Sequence, residues 1–366
     1  MAHYRPQAIV QIHLVIVFCS LLPSPLSAFT TNHTVSAPSV QCLPDQVSAL
    51  IRLKRSFVTT DYSVIAFRSW RVGTDCCHWE GIRCDQEDGR VTSLDLGYCG
   101  LESSRLDPVV FELTSLRYLN LAGNYFNNSK LPSSGFERLT KLTHLNLSTA
   151  HFGDGEVPHT IGRLTNLVSL DLSTRCGIDY TPGIGFHYWA DSSHGWDLTL
   201  SNVTALVTNL GSLRELHLGF VDLSQSIDWC DALAKYTPNL HVLSLPFCLV
   251  PDFLANFSFL KVLKLSYNSL EGFFGPVDPS ITNDRITCAF PSVRILDISS
   301  NNFSGTLTEE WITKLMSMMV NNNNETLVME YKGPIPSQLG HLTWLEALDL
   351  SSNELSGPVI IEIDWA

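Results

Sequence analysis

Charge is scarce in this chain. Only 16% of its 366 residues are Asp, Glu, Lys or Arg, and 23 basic residues against 36 acidic ones leave a formal net charge of −13. A polyanionic nucleic acid or an anionic membrane surface is therefore a poor main partner. Long apolar runs are missing as well. Beyond the first 28 residues no stretch reaches the roughly 20 apolar residues that span a bilayer. Catalytic signatures are also missing: there is no P-loop, His-Glu-x-x-His, Gly-x-Ser-x-Gly or kinase string. Gly183-x-Gly185 lacks the third glycine of a dinucleotide fingerprint, and the 12 histidines are scattered without metal-ligand spacing. No enzyme, cofactor or metal is expected from such a chain. At 45% hydrophobic residues it has too much apolar side chain to stay disordered.

The start reads as an export signal. His3 and Arg5 precede an apolar run from Ala8 to Leu22, followed by Leu26-Ser27-Ala28. Residues 1–28 are predicted to be a secretory signal peptide, with 29–41 as a linker. Export makes disulfides expected. It also gives meaning to the Asn-x-Ser/Thr triplets at Asn32, Asn127, Asn146, Asn202, Asn256, Asn302 and Asn324, candidate glycosylation sites. Removal of Cys19 with the signal leaves nine of the 10 cysteines, an odd number.

Periodicity then decides the architecture. Leu116-Arg117-Tyr118-Leu119-Asn120-Leu121-Ala122-Gly123-Asn124-Tyr125-Phe126 reads L-x-x-L-x-L-x-x-N-x-F, the leucine-rich-repeat template. Its Leu-x-Leu pair recurs at Leu94/Leu96, Leu119/Leu121, Leu145/Leu147, Leu170/Leu172, Leu216/Leu218, Leu243/Leu245, Leu263/Leu265, Leu296/Ile298 and Leu348/Leu350. Alternating leucines put one face of a short strand into a core that only stacked neighbours complete. The fold expected is an α/β leucine-rich-repeat solenoid with a curved parallel sheet on its concave face. Asn124, Asn268, Asn301 and Asn353 hold the turning position, and Cys99 and Cys248 replace it in two repeats. The 46 residues from Leu170 to Leu216 leave room for one degenerate repeat or for a loop. The repeats are assigned to 91–360, with irregular stretches at 176–211 and 271–291.

Residues 42–90 are expected to cap the array. Asp45 is a plausible helix N-cap, and Val47, Leu50, Ile51 and Phe57 follow at helical spacing. Cys42, Cys76, Cys77 and Cys84 frame the unit. An exported chain favours a disulfide-stapled cap over a zinc site. Cys42, Trp70 and the run Asp75-Cys76-Cys77-His78-Trp79-Glu80-Gly81-Ile82-Arg83-Cys84 resemble the N-terminal cap of plant extracellular leucine-rich-repeat proteins. The mature chain is similar to plant receptor-like proteins, which sense pathogen or developmental signals at the cell surface. That resemblance implies the pairs Cys42–Cys76 and Cys77–Cys84. It also implies a membrane receptor kinase as signalling partner and a place on the outer side of the plasma membrane. Residues 325–332 resemble a remnant of the non-repeat island that interrupts the family's array. The family's membrane helix has no counterpart before Ala366, so residues 361–366 are read as a truncated tail and a secreted, unanchored product is expected.

Binding is expected on the concave face. The column just before the Asn position holds Tyr98, Phe220, Phe247 and Tyr267, and neighbouring x positions add His144, Glu215, His217 and Lys264. Aromatics with a few charges are favoured interface anchors. The partner expected is a protein, peptide or glycan, with cell-surface recognition in defence or development as the function. A soluble inhibitor of microbial wall-degrading enzymes and a non-functional truncated product are the alternatives.

Overall fold

The computed structural model describes residues 41–58, 63–153, 155–174, 179–181, 185–187, 198–246, 248, 260–268, 271–274, 294–306, 328–330, 347–349 and 352–356. They belong to one compact unit, Val40–Ala366. The signal segment, the linker up to residue 40, Asn32, Phe247, Asn256, Asn324 and the tail 361–366 lie outside the described residues.

Eleven short strands form one sheet. In chain order they are β1 (Ile82–Cys84), β2 (Val91–Asp95), β3 (Tyr118–Asn120), β4 (His144–Asn146), β5 (Ser169–Asp171), β6 (Glu215–His217), β7 (Val242–Ser244), β8 (Val262–Lys264), β9 (Ile295–Asp297), β10 (Val328–Glu330) and β11 (Ala347–Asp349). β1 and β2 are antiparallel, and every later pairing is parallel. The register is set by leucine: Leu94 aligns with Leu119, Leu119 with Leu145, and the alignment continues through Leu170, Leu216, Leu243, Leu263 and Leu296 to Leu348. The described repeat leucines are essentially inaccessible to solvent. On the other side the chain returns through short helical turns at Pro108–Glu112, Phe136–Arg138 and His159–Arg163, then through α-helices Val203–Val207 and Trp229–Tyr236. A smaller parallel sheet joins Glu271–Phe274, Asn302–Thr306 and Glu354–Ser356.

The irregular stretches resolve within this register. β5 pairs directly with β6, so no described residue between Leu170 and Leu216 adds a strand to this sheet, although the segment does contribute strand Leu198–Thr199 to a second small sheet and the helix Val203–Val207. The segment also contains the antiparallel pair Asp179–Thr181 and Gly185–His187. β9 likewise pairs directly with β11. Residues 328–330, from the island-like segment, pair on the far side of β11 and form the edge of the sheet. Met329 of β10 is in register with Leu348 of β11.

The cap closes the other end. Its helix runs Pro44–Ser56 with Leu43 at the N-cap, so Asp45 lies in the first turn instead of capping it. Proline at the first helical position explains the start, because its missing N–H has no partner there anyway. Gln46 is buried and its Oε1 accepts the Val91 N–H at 2.6 Å, pairing a backbone group at the start of β2. Trp70 and Trp79 stack with ring centroids 5.3 Å apart, and their indole N–H groups donate to Glu80 O and Thr74 Oγ1. Disulfides join Cys42 to Cys76 and Cys77 to Cys84. Asp75 Oδ1 accepts the N–H of Cys42 and of Cys77. Burial alone would push this carboxyl up, but the two N–H donors and His78 outweigh it and hold it below the usual carboxylate range. The stability it contributes is present above the unfolded carboxylate pKa of about 4 and is lost as pH falls below it.

Buried side chains turn each strand end. Asn124 Nδ2 donates to Leu96 O at 2.8 Å, to Leu121 O at 3.0 Å and to Ala122 O at 3.3 Å, while its Oδ1 accepts the Leu101 N–H. Asn268 and Asn301 repeat the Nδ2 donations, and Asn301 Oδ1 accepts the Asn268 N–H. Cys248 stands in for asparagine with one donor, its thiol reaching Leu218 O at 2.9 Å. Burial pushes that thiol up to about 12.

Two measurements test this frame. Asn124→Ala leaves several backbone groups unpaired and should lower stability by about 3 kcal/mol, against about 1 kcal/mol for Cys248→Ala. Chemical denaturation checks the order, and Cys248 should resist alkylation at pH 8 until the chain unfolds. In the cap, the bridged residues are 34 apart for Cys42–Cys76 and 7 apart for Cys77–Cys84. The chain-entropy difference is about 1.4 kcal/mol. Cys42→Ser/Cys76→Ser should therefore melt below Cys77→Ser/Cys84→Ser; the reverse order would refute this account.

Candidate ligand-binding face

The side chains that alternate with the core leucines face away from them on the open side of the sheet. The residue between the two leucines is Asp95, Asn120, Asn146, Asp171 or Asp297 in five repeats. Each accepts, through Oδ1, the N–H two residues further on: Gly97, Ala122, Ser148, Ser173 and Ser299, at 2.9–3.2 Å. These are Asx turns, in which a short side chain imitates a backbone turn. They bend the chain out of the sheet as each strand ends.

Two residues after the second leucine of the pair, the chain completes the bend in the left-handed region. Tyr98 has φ +54°, Gly123 +64°, Thr149 +49°, Phe220 +61°, Tyr267 +59°, Ser300 +52° and Ser352 +55°. This column holds Tyr98, Phe220 and Tyr267, which the sequence suggests as strand positions on the sheet. They sit instead on the turn leaving it. Glycine adopts this conformation without steric cost, whereas other residues lose about 1–2 kcal/mol there. Tyr98 is 65% exposed and Tyr267 53%, while Phe220 is half-buried. A Cβ on Gly123 would lie 2.2 Å from the Tyr98 ring, so that ring rests on bare backbone.

The structure separates the candidate residues into two groups. Tyr98 leaves β2, whereas Phe220 and Tyr267 leave β6 and β8. Four strand spacings of about 4.8 Å place Phe220 roughly 19 Å from Tyr98 along the sheet. The repeats of β3 and β4 carry further rings outside the candidate set. Tyr118 lies 6.0 Å from the predicted His144, and Tyr125, 41% exposed, lies 5.2 Å from His151. Tyr118 is legible in hindsight, since it fills the x position before Leu119 as His144 does before Leu145. Its phenol is pushed up by burial and then by Asp95, against smaller opposing effects of Asn120 and Arg83. His144 is exposed, with Nδ1 at 2.9 Å from Thr143 Oγ1. Glu215 is exposed and accepts the Ser169 hydroxyl at 3.0 Å. His217 is half-buried on β6, and Lys264 is exposed on β8, in register with Ser244 and Asp297.

The glycosylation candidates differ in setting. Asn127 and Asn202 are exposed, and Asn202 Oδ1 caps the following helix at Ala205 N. Asn146 is half-buried in the sheet, its Oδ1 accepting from both Ser148 N and Ser148 Oγ. Asn302 begins a strand of the smaller sheet. The four cap sulfurs lie within 4.8 Å of one another, the spacing of a metal site, but all four are engaged in disulfides. An open groove of about 430 Å³ outside the sheet face includes Leu131, Val157, Leu206, Glu156 and His159. Glu156 Oε1 accepts both the N–H and the hydroxyl of Ser201 at 2.8 Å, which makes it a structural carboxylate. No helix among the described residues is long and apolar enough to cross a membrane.

Known proteins match this arrangement. Residues 43–85 match the family described as leucine rich repeat N-terminal domain, and 115–139, 292–313 and 341–358 match leucine rich repeat families. Receptor-like protein 6 of Arabidopsis thaliana is 34% identical over 294 residues, covering 69% of this chain and 28% of that protein. Receptor-like protein EIX1 of Solanum lycopersicum is 28% identical over 335 residues, covering 88% of this chain and 27% of that protein. The chain thus spans little more than a quarter of the length of these two relatives. Among solved structures, a plant ice-binding protein superposes with a TM-score of 0.53 at 19% identity, over 87% of this chain and 97% of that one, a likeness of fold. With its cap, its repeats and these relatives, the chain is a leucine-rich-repeat protein similar to the plant receptor-like proteins.

Proposed function

We propose that the chain recognises an extracellular protein or peptide through the open sheet face and the turns beside it, without converting it chemically. One observation carries this reading. Bulky aromatic rings stand exposed at left-handed turn positions where glycine would fold at lower cost. Strained residues of this kind persist where function demands them. Exposed aromatics are also the side chains that anchor interfaces most often. In the receptor-like setting, recognition would be passed to a membrane receptor kinase, in defence or development. The domain limits expected from the sequence, the glycans and the named face residues belong to this proposal.

The test separates strain from function. Gly at 98 and 267 removes the left-handed cost of about 1–2 kcal/mol per site but adds about 0.5–1 kcal/mol of unfolded-chain entropy. The double variant Tyr98→Gly/Tyr267→Gly should therefore unfold within about 2 kcal/mol of the wild type. Its immobilised form should nevertheless fail to retain at least one peptide or protein that the wild-type chain retains from extracellular plant fluid or microbial culture filtrate, read by mass spectrometry. Identical retention by both forms would remove the aromatic turns from the site.

A further inference from the structure

The residue just ahead of each strand forms a row of its own. Arg214, His241, Lys261 and Arg294 precede β6, β7, β8 and β9. Their backbones are joined in sequence: His241 N–H donates to Arg214 O, Lys261 N–H to His241 O, and Arg294 N–H to Lys261 O, each at 2.7 Å. Four basic or titratable side chains thus line the lip of the sheet in four consecutive repeats of a chain whose net charge is −13. Arg214, Lys261 and Arg294 are exposed and His241 is half-buried. Among the described residues no carboxylate lies within ion-pair distance of Arg214, His241 or Lys261.

A second column runs beside the row. Val242, Val262 and Ile295 occupy one register on β7, β8 and β9, half-buried and pointing away from the leucine core. Glu215 holds the same register on β6. Lys264 adds another cation on the same face. Of the acids there, Glu215 accepts the Ser169 hydroxyl, and Asp297 Oδ1 accepts the Ser299 N–H and hydroxyl.

We propose that this lip and column bind an acidic, aliphatic-bearing peptide laid across β6 to β9 in an extended conformation. Three strand spacings of about 4.8 Å make a track of roughly 14 Å, which four to five extended residues span. Successive side chains of an extended peptide point to opposite sides. Alternating acidic and aliphatic residues would therefore place carboxylates along Arg214, Lys261 and Arg294 while the aliphatics cover Val242, Val262 and Ile295. A uniformly anionic polysaccharide would satisfy the cations but offer nothing to the aliphatic column. The proposal rests on the reading of this face as the ligand-binding surface and names the ligand chemistry.

The probe is a synthetic octapeptide of alternating Glu and Val, titrated into the purified secreted chain. Alternating Lys–Val and Glu–Ser octapeptides and an oligogalacturonate are the comparisons. The Glu–Val peptide should bind best, and more weakly as salt rises. Arg214→Gln/Lys261→Gln should weaken it at least about 10-fold, and Val262→Ser several-fold. Arg214→Glu/Lys261→Glu should switch preference to the Lys–Val peptide, a gain that misfolding cannot mimic. Absence of Glu–Val binding, equal binding of Lys–Val by the wild type, or failure of the switch overturns the proposal. Oligogalacturonate binding that outranks the peptide and survives Val262→Ser also overturns it, in favour of an anionic glycan. If the octapeptide fails while the aromatic-dependent retention persists, only the row falls; loss of both removes the ligand-binding reading of the face.

Discussion

A strand of three residues cannot bury its own leucines. It can do so only against the strands on either side, and every other feature of this chain follows from that dependence. Leucine meets leucine from Leu94 to Leu348, with one register across every repeat strand. A slip of one residue would turn a buried leucine outward and a polar neighbour inward. Extra chain is therefore accommodated only between strands, where it leaves the register untouched. The long excursions before β6 and before β11 both do this, and the strands on either side still pair directly.

The same constraint creates the open face. If the leucines must point inward, the alternate positions must point outward and form columns along the sheet. At the end of each strand the chain must leave the plane. Asp or Asn between the leucines starts the bend, a left-handed residue completes it, and a buried Asn, or Cys248, satisfies the carbonyls left behind. An aromatic placed on the left-handed residue is held by backbone geometry that seven of the repeats share. The Tyr98 ring lies against the backbone of Gly123.

The ends of such an array would otherwise leave leucines and backbone groups uncovered. At the first strands the cap supplies a buried glutamine to the Val91 N–H, stacked tryptophans and two disulfides. At the other edge β10 pairs with β11, although it precedes β11 in the chain. The two closures use different chemistry, side chains and cross-links at one end and a backbone ladder at the other.

The repeat, the inward leucines, the corner asparagines and the capping cysteines were legible in the sequence, because each depends on spacing within a few residues or on a compact cysteine motif. The disulfide partners followed from resemblance to a family, since spacing alone allows other pairings. The φ of Tyr98, Phe220 and Tyr267 was not legible, because a turn residue and a strand residue occupy the same place in a one-dimensional pattern. Nor was the row Arg214, His241, Lys261 and Arg294. Its members are 20 to 33 residues apart, and the unequal steps between them hide their common register until the strands pair. Local periodicity determines which side chains go inward. Which outward side chains become neighbours depends on how much chain each repeat loops out, and only hydrogen bonding between strands distant in sequence decides that.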